Sequence, residues 1–312
     1  MSSYSAAPDI VRRRLTGKRH RPLEALVSLA LLTSLLVCLA LLAVLLTDVV
    51  TEGWPVLSTR LGEFLVNPLS ADPSRAGLGQ GIFGSIVLIV IVALLSFPLG
   101  VGAAIYLEEY ASDTRLNRLL VSNVRNLAGV PSIVYGLLGL TVFVKSMSGI
   151  TNGRTLVAGG LTLSILVLPI IVITASEALR AVPRELREAS FGVGATEWET
   201  VRHHVLPVAF PGILTGSVLA VARAFGESAP LLLAGAVLSN FFTPPGATSL
   251  ASLITEQSYT GLPIVIFNWA RQPQQEFIAL TAAGIVVLLV ILLLVNTAAI
   301  VTRDRFERRR IS

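Results

Sequence analysis

The sequence predicts an all-α, polytopic membrane protein with six transmembrane helices and both termini in the cytoplasm. Charge is too scarce for a soluble surface: of 312 residues, 14% are charged and 53% hydrophobic, where a soluble domain carries about 25% charged residues. The apolar residues gather into long blocks, and a helix needs about 20 of them to cross a bilayer. Lysine and arginine are segregated. Eighteen lie in one set of alternate loops and five in the other, with Arg223 inside a block, and the richer side is cytoplasmic by the positive-inside rule.

The first block runs from about Leu23 to Thr47, with Glu24 at its rim, behind a basic cytoplasmic segment, residues 1–22. Arg12, Arg13, Arg14, Lys18, Arg19 and Arg21 there resemble the start of a secretory signal. The apolar run is longer than such a signal uses and no A-x-A site precedes Thr47-Asp48, so the block reads as a retained anchor. The second block, Gly81 to Leu107, is uncharged and contains Pro98; the third spans about Asn126 to Val144; the fourth, Thr155 to Ser176, contains Pro169. The fifth runs from near Val205 to about Leu238 and carries Arg223 and Glu227; the sixth, Phe277 to Thr302, is uncharged. Proline would break an exposed soluble helix, whereas in a bundle neighbouring helices and hydroxyl side chains satisfy the freed carbonyls.

Together the blocks make a membrane domain over residues 23–302, followed by a basic cytoplasmic tail, residues 303–312. The Arg303–Arg310 cluster in that tail sets topology or contacts acidic lipid. The extracytoplasmic loop from Asp48 to Gln80 is too short for an independent domain. The one from about Ser239 to Glu276 holds Pro244-Pro245-Gly246 and then Thr248–Tyr259, a stretch that suits a short surface or re-entrant helix.

Several function classes drop out. The net charge of +5 suggests nucleic acid, but most basic residues sit at block edges, where orientation in a bilayer requires them. Cys38 stands alone in mid-block, so there is no disulfide framework, and no Cys/His cluster has metal-ligand spacing. His203 and His204 are adjacent and point roughly 100° apart on a helix, which is no metal pair. Gly100, Gly102, Gly136 and Gly139 suit close helix contact. There is no G-x-x-x-x-G-K-[ST] loop, so ATP phosphates are not cradled here in the P-loop manner.

The most informative segment lies between the fourth and fifth blocks: Val182-Pro-Arg-Glu-Leu-Arg-Glu-Ala-Ser-Phe-Gly-Val-Gly-Ala-Thr-Glu-Trp-Glu-Thr-Val-Arg-His-His-Val-Leu-Pro207. It reads as two short helices around a bend. Pro183 suits a first helical turn, and Arg184 and Glu188 share a face. Gly192 and Gly194 permit the bend, the T-x-x-E of Thr196–Glu199 is a capping box opening the second helix, and Pro207 marks the return to the membrane. An amphipathic helix–turn–helix at a membrane surface suits docking to a soluble partner.

The same residues resemble the EAA loop of ABC importer permeases, whose pattern is E-A-A, three residues, G, nine residues, I-x-L-P. Here Glu188, Ala189 and Ser190 are followed by three residues, Gly194, nine residues, then His204-Val205-Leu206-Pro207. Ser190 stands where the pattern has alanine, and His204 where it has isoleucine. Asn126-Leu-Ala-Gly-Val-Pro-Ser-Ile-Val-Tyr-Gly-Leu-Leu-Gly-Leu140 is similar to the third span of PstA-type phosphate permeases. The run from Leu168 to Pro183 is shared in style by PstA and PstC types, and Ala222-Arg-Ala-Phe-Gly-Glu-Ser-Ala-Pro-Leu231 favours PstA.

That resemblance implies a type I ABC importer permease fold in a bacterial cytoplasmic (inner) membrane. A cytoplasmic coupling loop, residues 180–207, would engage an ATPase through Glu188, Ala189, Gly194, Leu206 and Pro207. It implies a phosphate importer in which this chain, itself no enzyme and without a cofactor, forms half of the pathway. A PstC-like permease would form the other half, a PstB-like ATPase dimer would bind ATP and Mg, and a PstS-like protein would deliver inorganic phosphate. Another oxyanion (phosphonate, sulfate or molybdate) and a phosphate-sensing membrane scaffold remain alternatives.

Arg223 and Glu227 are the only charges well inside a block. Charges at membrane depth face the bundle interior and mark functional sites. Spaced i, i+4, the two fall within mutual reach. A guanidinium binds phosphate oxygens bidentately, and a neighbouring carboxylate weakens that hold enough for release. The pair therefore reads as a passage site, or as an ion pair locking the fifth span. Ser228, Ser132 and Tyr135 either line the path as hydrogen-bond donors or pack between helices.

Overall fold

The computed structural model describes residues 22–237, 254 and 258–308. The basic segment before residue 22, Pro244-Pro245-Gly246 with most of the expected re-entrant stretch, and Arg309 and Arg310 of the tail lie outside the described residues. Among the described residues there is no strand, as a chain immersed in hydrocarbon requires, because only helices satisfy their own backbone groups there short of a closed barrel. The chain divides into two units, Met1–Thr51 and Glu52–Ser312.

The described part of the first unit belongs to helix α1, Pro22–Val66. α1 overruns its expected end at Thr47: the Thr47 hydroxyl donates back to the Ala43 carbonyl (2.7 Å) and that of Thr51 to Asp48 (2.9 Å), so polar residues continue the helix. Within the second unit α1 kinks at Arg60 (φ −141°, ψ 33°). The Arg60 guanidinium donates to the Ser74 carbonyl and to that of Pro73 (2.7 Å), holding the following loop. The Ser74 hydroxyl and amide, both donating to Asp72, keep the Asp72 carboxyl below the usual carboxylate range.

The second unit continues with α2 (Gly79–Ile105), extended by a π turn, Tyr106–Tyr110. Then come α3 (Arg115–Ala128), α4 (Ser132–Gly139, prolonged by a π turn to Ser146) and α5 (Leu156–Arg180). The loop helices are α6 (Arg184–Gly192) and α7 (Glu197–Thr200); a π turn, Val201–Val205, leads α7 into α8 (Leu206–Gly226). Last are α9 (Ala229–Leu233), α10 (Leu262–Trp269) and α11 (Glu276–Arg308). Among the described residues five helical stretches are long and apolar enough to cross a membrane, and the bent pair α3 and α4 qualifies only with its two arms taken together, as a broken span or a re-entrant loop. Six spans therefore require counting the bent pair as one.

Two expected spans are corrected. The third is not one helix from Asn126 to Val144: α3 and α4 meet at 100°. Pro131 has no N–H to donate and disfavours helical geometry at Val130, so the chain turns at Gly129–Pro131. The Tyr135 hydroxyl donates to the Leu127 carbonyl (2.8 Å), which also accepts the Val130 amide (3.0 Å), so both close the end of α3. The fifth span does not run unbroken to Leu238. α8 stops at Gly226, Glu227 is extended (φ −80°, ψ 118°), and α9 restarts with Pro230 in its first turn, where a missing N–H costs nothing.

α5 is the central helix, packed along α2 and α8. The buried Ser96 hydroxyl donates to the Ser164 carbonyl (3.0 Å) between α2 and α5, among Leu88, Val92, Leu163 and Ile171. Glycines allow the close approach. A β-carbon at Gly100 would meet Ile171 at 2.7 Å, one at Gly136 the Pro230 backbone at 2.7 Å, and one at Gly139 the Thr162 side chain. Gly102, expected to do the same, faces open space. One end of the bundle is closed by Phe64, Leu78, Trp269 and Phe277, the other by Ala104, Leu179, Val205 and Ile213 beneath α6 and α7.

Gly136→Val should destabilise the protein by about 1–3 kcal/mol, the usual cost of overpacking, while Gly102→Ala should stay within about 0.5 kcal/mol of the parent. Thermal melting of the detergent-solubilised chain, followed by circular dichroism, checks both; equal midpoints would refute the packing difference.

Candidate functional site

The segment between α5 and α8 folds from its local chemistry. Pro183 precedes the first residue of α6 rather than lying within its first turn. α6 ends in a turn at which Gly194 takes φ +87°, and the Gly194 and Ala195 amides donate to the carbonyls of Phe191 (2.9 Å) and Ser190 (3.2 Å). That left-handed position suits glycine, since a side chain there costs roughly 1–2 kcal/mol. Gly192 is helical, so the bend rests on Gly194 and not on both glycines. The expected capping box is present: the Thr196 amide donates to Glu199 Oε2 (2.9 Å) while the Glu199 amide donates to Thr196 Oγ1 (3.3 Å).

Both departures from the EAA pattern have a structural reading. The buried Ser190 hydroxyl lies 2.9 Å from that of Thr200, a hydrogen bond joining α6 to α7 that alanine cannot make. His204 is exposed, so no imidazole enters the core where the pattern has isoleucine. Of the expected coupling residues, Glu188, Ala189 and Gly194 are exposed, whereas Leu206 and Pro207 are half-buried at the root of α8. The exposed apolar groups of the loop are ones the sequence reading passed over: Val193 is 85% exposed, Trp198 56% and Phe191 48%. An apolar cluster on an otherwise polar loop is the mark of a docking surface.

Two ion pairs fasten this loop to α2. Arg180 Nε and Nη2 each donate to Glu108 at 2.7 Å. Arg187 donates from Nε to Glu109 Oε2 (3.1 Å) and from Nη2 to Oε1 (2.7 Å). Its guanidinium also donates to the carbonyls of Leu179 (3.0 Å) and Val182 (2.9 Å), closing the end of α5. The Arg187 and Glu109 side chains are 21% and 9% exposed. Such charge-assisted bonds contribute roughly 1.5–3 kcal/mol, and the more exposed Arg180–Glu108 pair contributes less. Glu108 and Glu109 lie in the π turn that ends α2. Arg180 and Arg187 lie more than 70 residues further along the chain, so no local pattern marks the partnership. A groove of about 640 Å³ separates the pairs from α7, lined by Arg184, Glu188, Phe191 and Glu197 among others.

Arg223 and Glu227 do meet, Nε to Oε1 at 3.4 Å. They do not share one helix face, because Glu227 lies just past the end of α8. The Arg223 side chain is 48% exposed and that of Glu227 18%, so the carboxylate occupies one side of the guanidinium and leaves the other open. Ser228 and Ser132 are half-buried. Tyr135 is buried with its hydroxyl already committed to Leu127, which favours its packing role. No cluster of three or more His, Cys, Asp or Glu suited to a metal occurs among the described residues.

Residues 96–311 match the family of binding-protein-dependent transport system inner membrane components. The chain is 39% identical over 165 residues to the probable ABC transporter permease protein YqgH of Bacillus subtilis, covering 52% of this chain and 53% of that protein. It thus spans about half the length of that relative. It is 32% identical over 303 residues to the phosphate transport system permease protein PstA 1 of Mycobacterium tuberculosis, covering 96% of this chain and 95% of that one. Among solved structures, a bacterial ABC transporter involved in import of the acidic polysaccharide alginate superposes with a TM-score of 0.57 at 16% identity, over 94% of this chain and 97% of that chain. The fold is that of the type I ABC importer permeases.

Glu109→Gln should loosen the loop without unfolding the bundle. The expected result is several-fold faster tryptic cleavage after Arg187 with the far-ultraviolet circular dichroism unchanged; cleavage at the parent rate would show that the ion pair does not hold the loop.

Proposed function

We propose that this chain, which belongs to the family of binding-protein-dependent transport system inner membrane components, is the PstA-type transmembrane subunit of an ATP-driven phosphate importer. The observation that carries the substrate is the near end-to-end likeness to a phosphate permease. The chain is a permease subunit and not itself an enzyme.

The energy enters through α6 and α7. Phe191, Val193 and Trp198 project from the loop and suit a cleft on a PstB-like ATPase dimer, which binds ATP and Mg. Glu188, Ala189 and Gly194 shape the docking face, while Leu206 and Pro207 carry its displacement into α8. The basic loops, and this one with them, face the cytoplasm of a bacterial inner membrane. A PstC-like permease completes the pathway, and a PstS-like protein delivers phosphate from outside.

Within the pathway Arg223 supplies the anion contact. Its open side can take two phosphate oxygens in the fork geometry of a guanidinium. Glu227, 3.4 Å away, lowers the local positive charge so that the hold is transient, and Ser228 next to it adds a hydroxyl. Closure of the ATPases then exchanges access from one side to the other.

Labelled-phosphate uptake at low concentration tests the substrate, in cells lacking their own high-affinity system and carrying the neighbouring transport genes with or without this chain. Uptake should require this chain and resist excess sulfate; suppression by sulfate would assign another oxyanion. Arg223→Ala should reduce uptake by at least about ten-fold, a loss of roughly 1.4 kcal/mol or more, with the complex still assembled. Arg223→Lys, which keeps the charge and loses the fork, should fall between. Full uptake by Arg223→Ala would remove the residue from the pathway.

A further inference from the structure

Helix α3 takes no part in the function above. It is 14 residues long, begins with Thr114 as its cap and has no buried side chain. At 100° per residue, Arg115, Arg118 and Arg125 fall on one side, and Leu116, Leu120 and Leu127 on the other. Its 100° bend from α4 lays it across the direction in which α4 runs. With α4 as the membrane-inserted arm of this bent pair, α3 lies along the surface, with leucines towards hydrocarbon and arginines at headgroup level, the pattern of an interfacial amphipathic helix.

A groove of about 450 Å³ opens between α3 and the ends of α2 and α5. Arg118, Arg125 and Arg180 line it, against one carboxylate, Asp113, and Leu107 and Val121 supply apolar wall. Arg180 is held by Glu108. Arg118 meets Asp113 only at 3.4 Å with both side chains exposed, a pair too wet to neutralise it firmly. The groove therefore keeps positive charge beside apolar surface, complementary to a phosphodiester that carries acyl chains.

We propose that this groove binds the headgroup of an anionic phospholipid, with Arg118 and Arg125 on the phosphate. A basic side chain near an anionic surface changes binding about five-fold. The site is separate from the Arg223 pathway, so it stands or falls independently of what is transported.

The test is native mass spectrometry of the full chain, released from nanodiscs of equal phosphatidylglycerol and phosphatidylcholine. The parent should retain phosphatidylglycerol in several-fold excess, and Arg118→Gln with Arg125→Gln should bring the ratio close to one. Both residues are exposed, so the variant keeps its fold, which circular dichroism checks. Glycerol 1-phosphate and inorganic phosphate at millimolar concentration should leave the excess intact. Equal retention of the two lipids by the parent would overturn the proposal, as would an excess that survives the double substitution. Displacement by inorganic phosphate would also overturn it, by identifying a site for a free anion.

Discussion

A backbone N–H or C=O shut away from water must find its partner inside the protein, and several departures from regular helix among the described residues meet that demand. At the bend between α3 and α4 the Leu127 carbonyl receives both the Val130 amide and the Tyr135 hydroxyl. At the end of α5 the carbonyls of Leu179 and Val182 receive Arg187. Where α2 widens into its π turn, the Ala111 amide reaches back to the Tyr106 carbonyl. A break in a helix is tolerated only where a side chain or a shifted amide can serve the freed group. These are therefore places where the chain changes direction without exposing its backbone.

The same requirement ties the docking loop to the bundle. Arg187, in α6, serves the Leu179 carbonyl of α5 and the Val182 carbonyl just past it, and pairs with Glu109 in the π turn that ends α2, so one guanidinium joins three elements. Together with the Ser190–Thr200 bond and the Thr196 capping box, it leaves the loop little freedom to move independently of α2 and α5. Under the proposed function, a push on α6 and α7 by the ATPase would be delivered through these bonds to the central helices. Arg223 differs: among the described residues its ion pair is with Glu227, and its side chain stays 48% exposed.

Much of this was legible in the sequence because it is local. The T-x-x-E of Thr196–Glu199 bonds across three residues, and the bend was legible from the pair Gly192 and Gly194, although only Gly194 takes the left-handed torsion. The spans were legible from run length. The third was read as continuous because Asn126 to Val144 is uncharged and mainly apolar, and apolar content does not reveal the angle that Pro131 imposes. The fifth was read through Glu227 for the same reason. Gly100 and Gly102 look alike in sequence, yet only one meets α5.

The sequence by itself determined the membrane class, the number of spans counting the bent pair as one, the helix–turn–helix before α8 with its turn and cap, and the i, i+4 reach of Arg223 and Glu227. Each depends on residues within a few turns of one another, or on the hydrophobicity of a single run. Only the tertiary structure decided that Glu108 and Glu109 hold Arg180 and Arg187, 72 and 78 residues away. It alone decided that Ser190 bonds Thr200, that α3 turns away from α4, and that Val193 and Trp198 stand exposed. Those contacts depend on which helix faces meet, and that is settled by packing α2, α5 and α8 against one another.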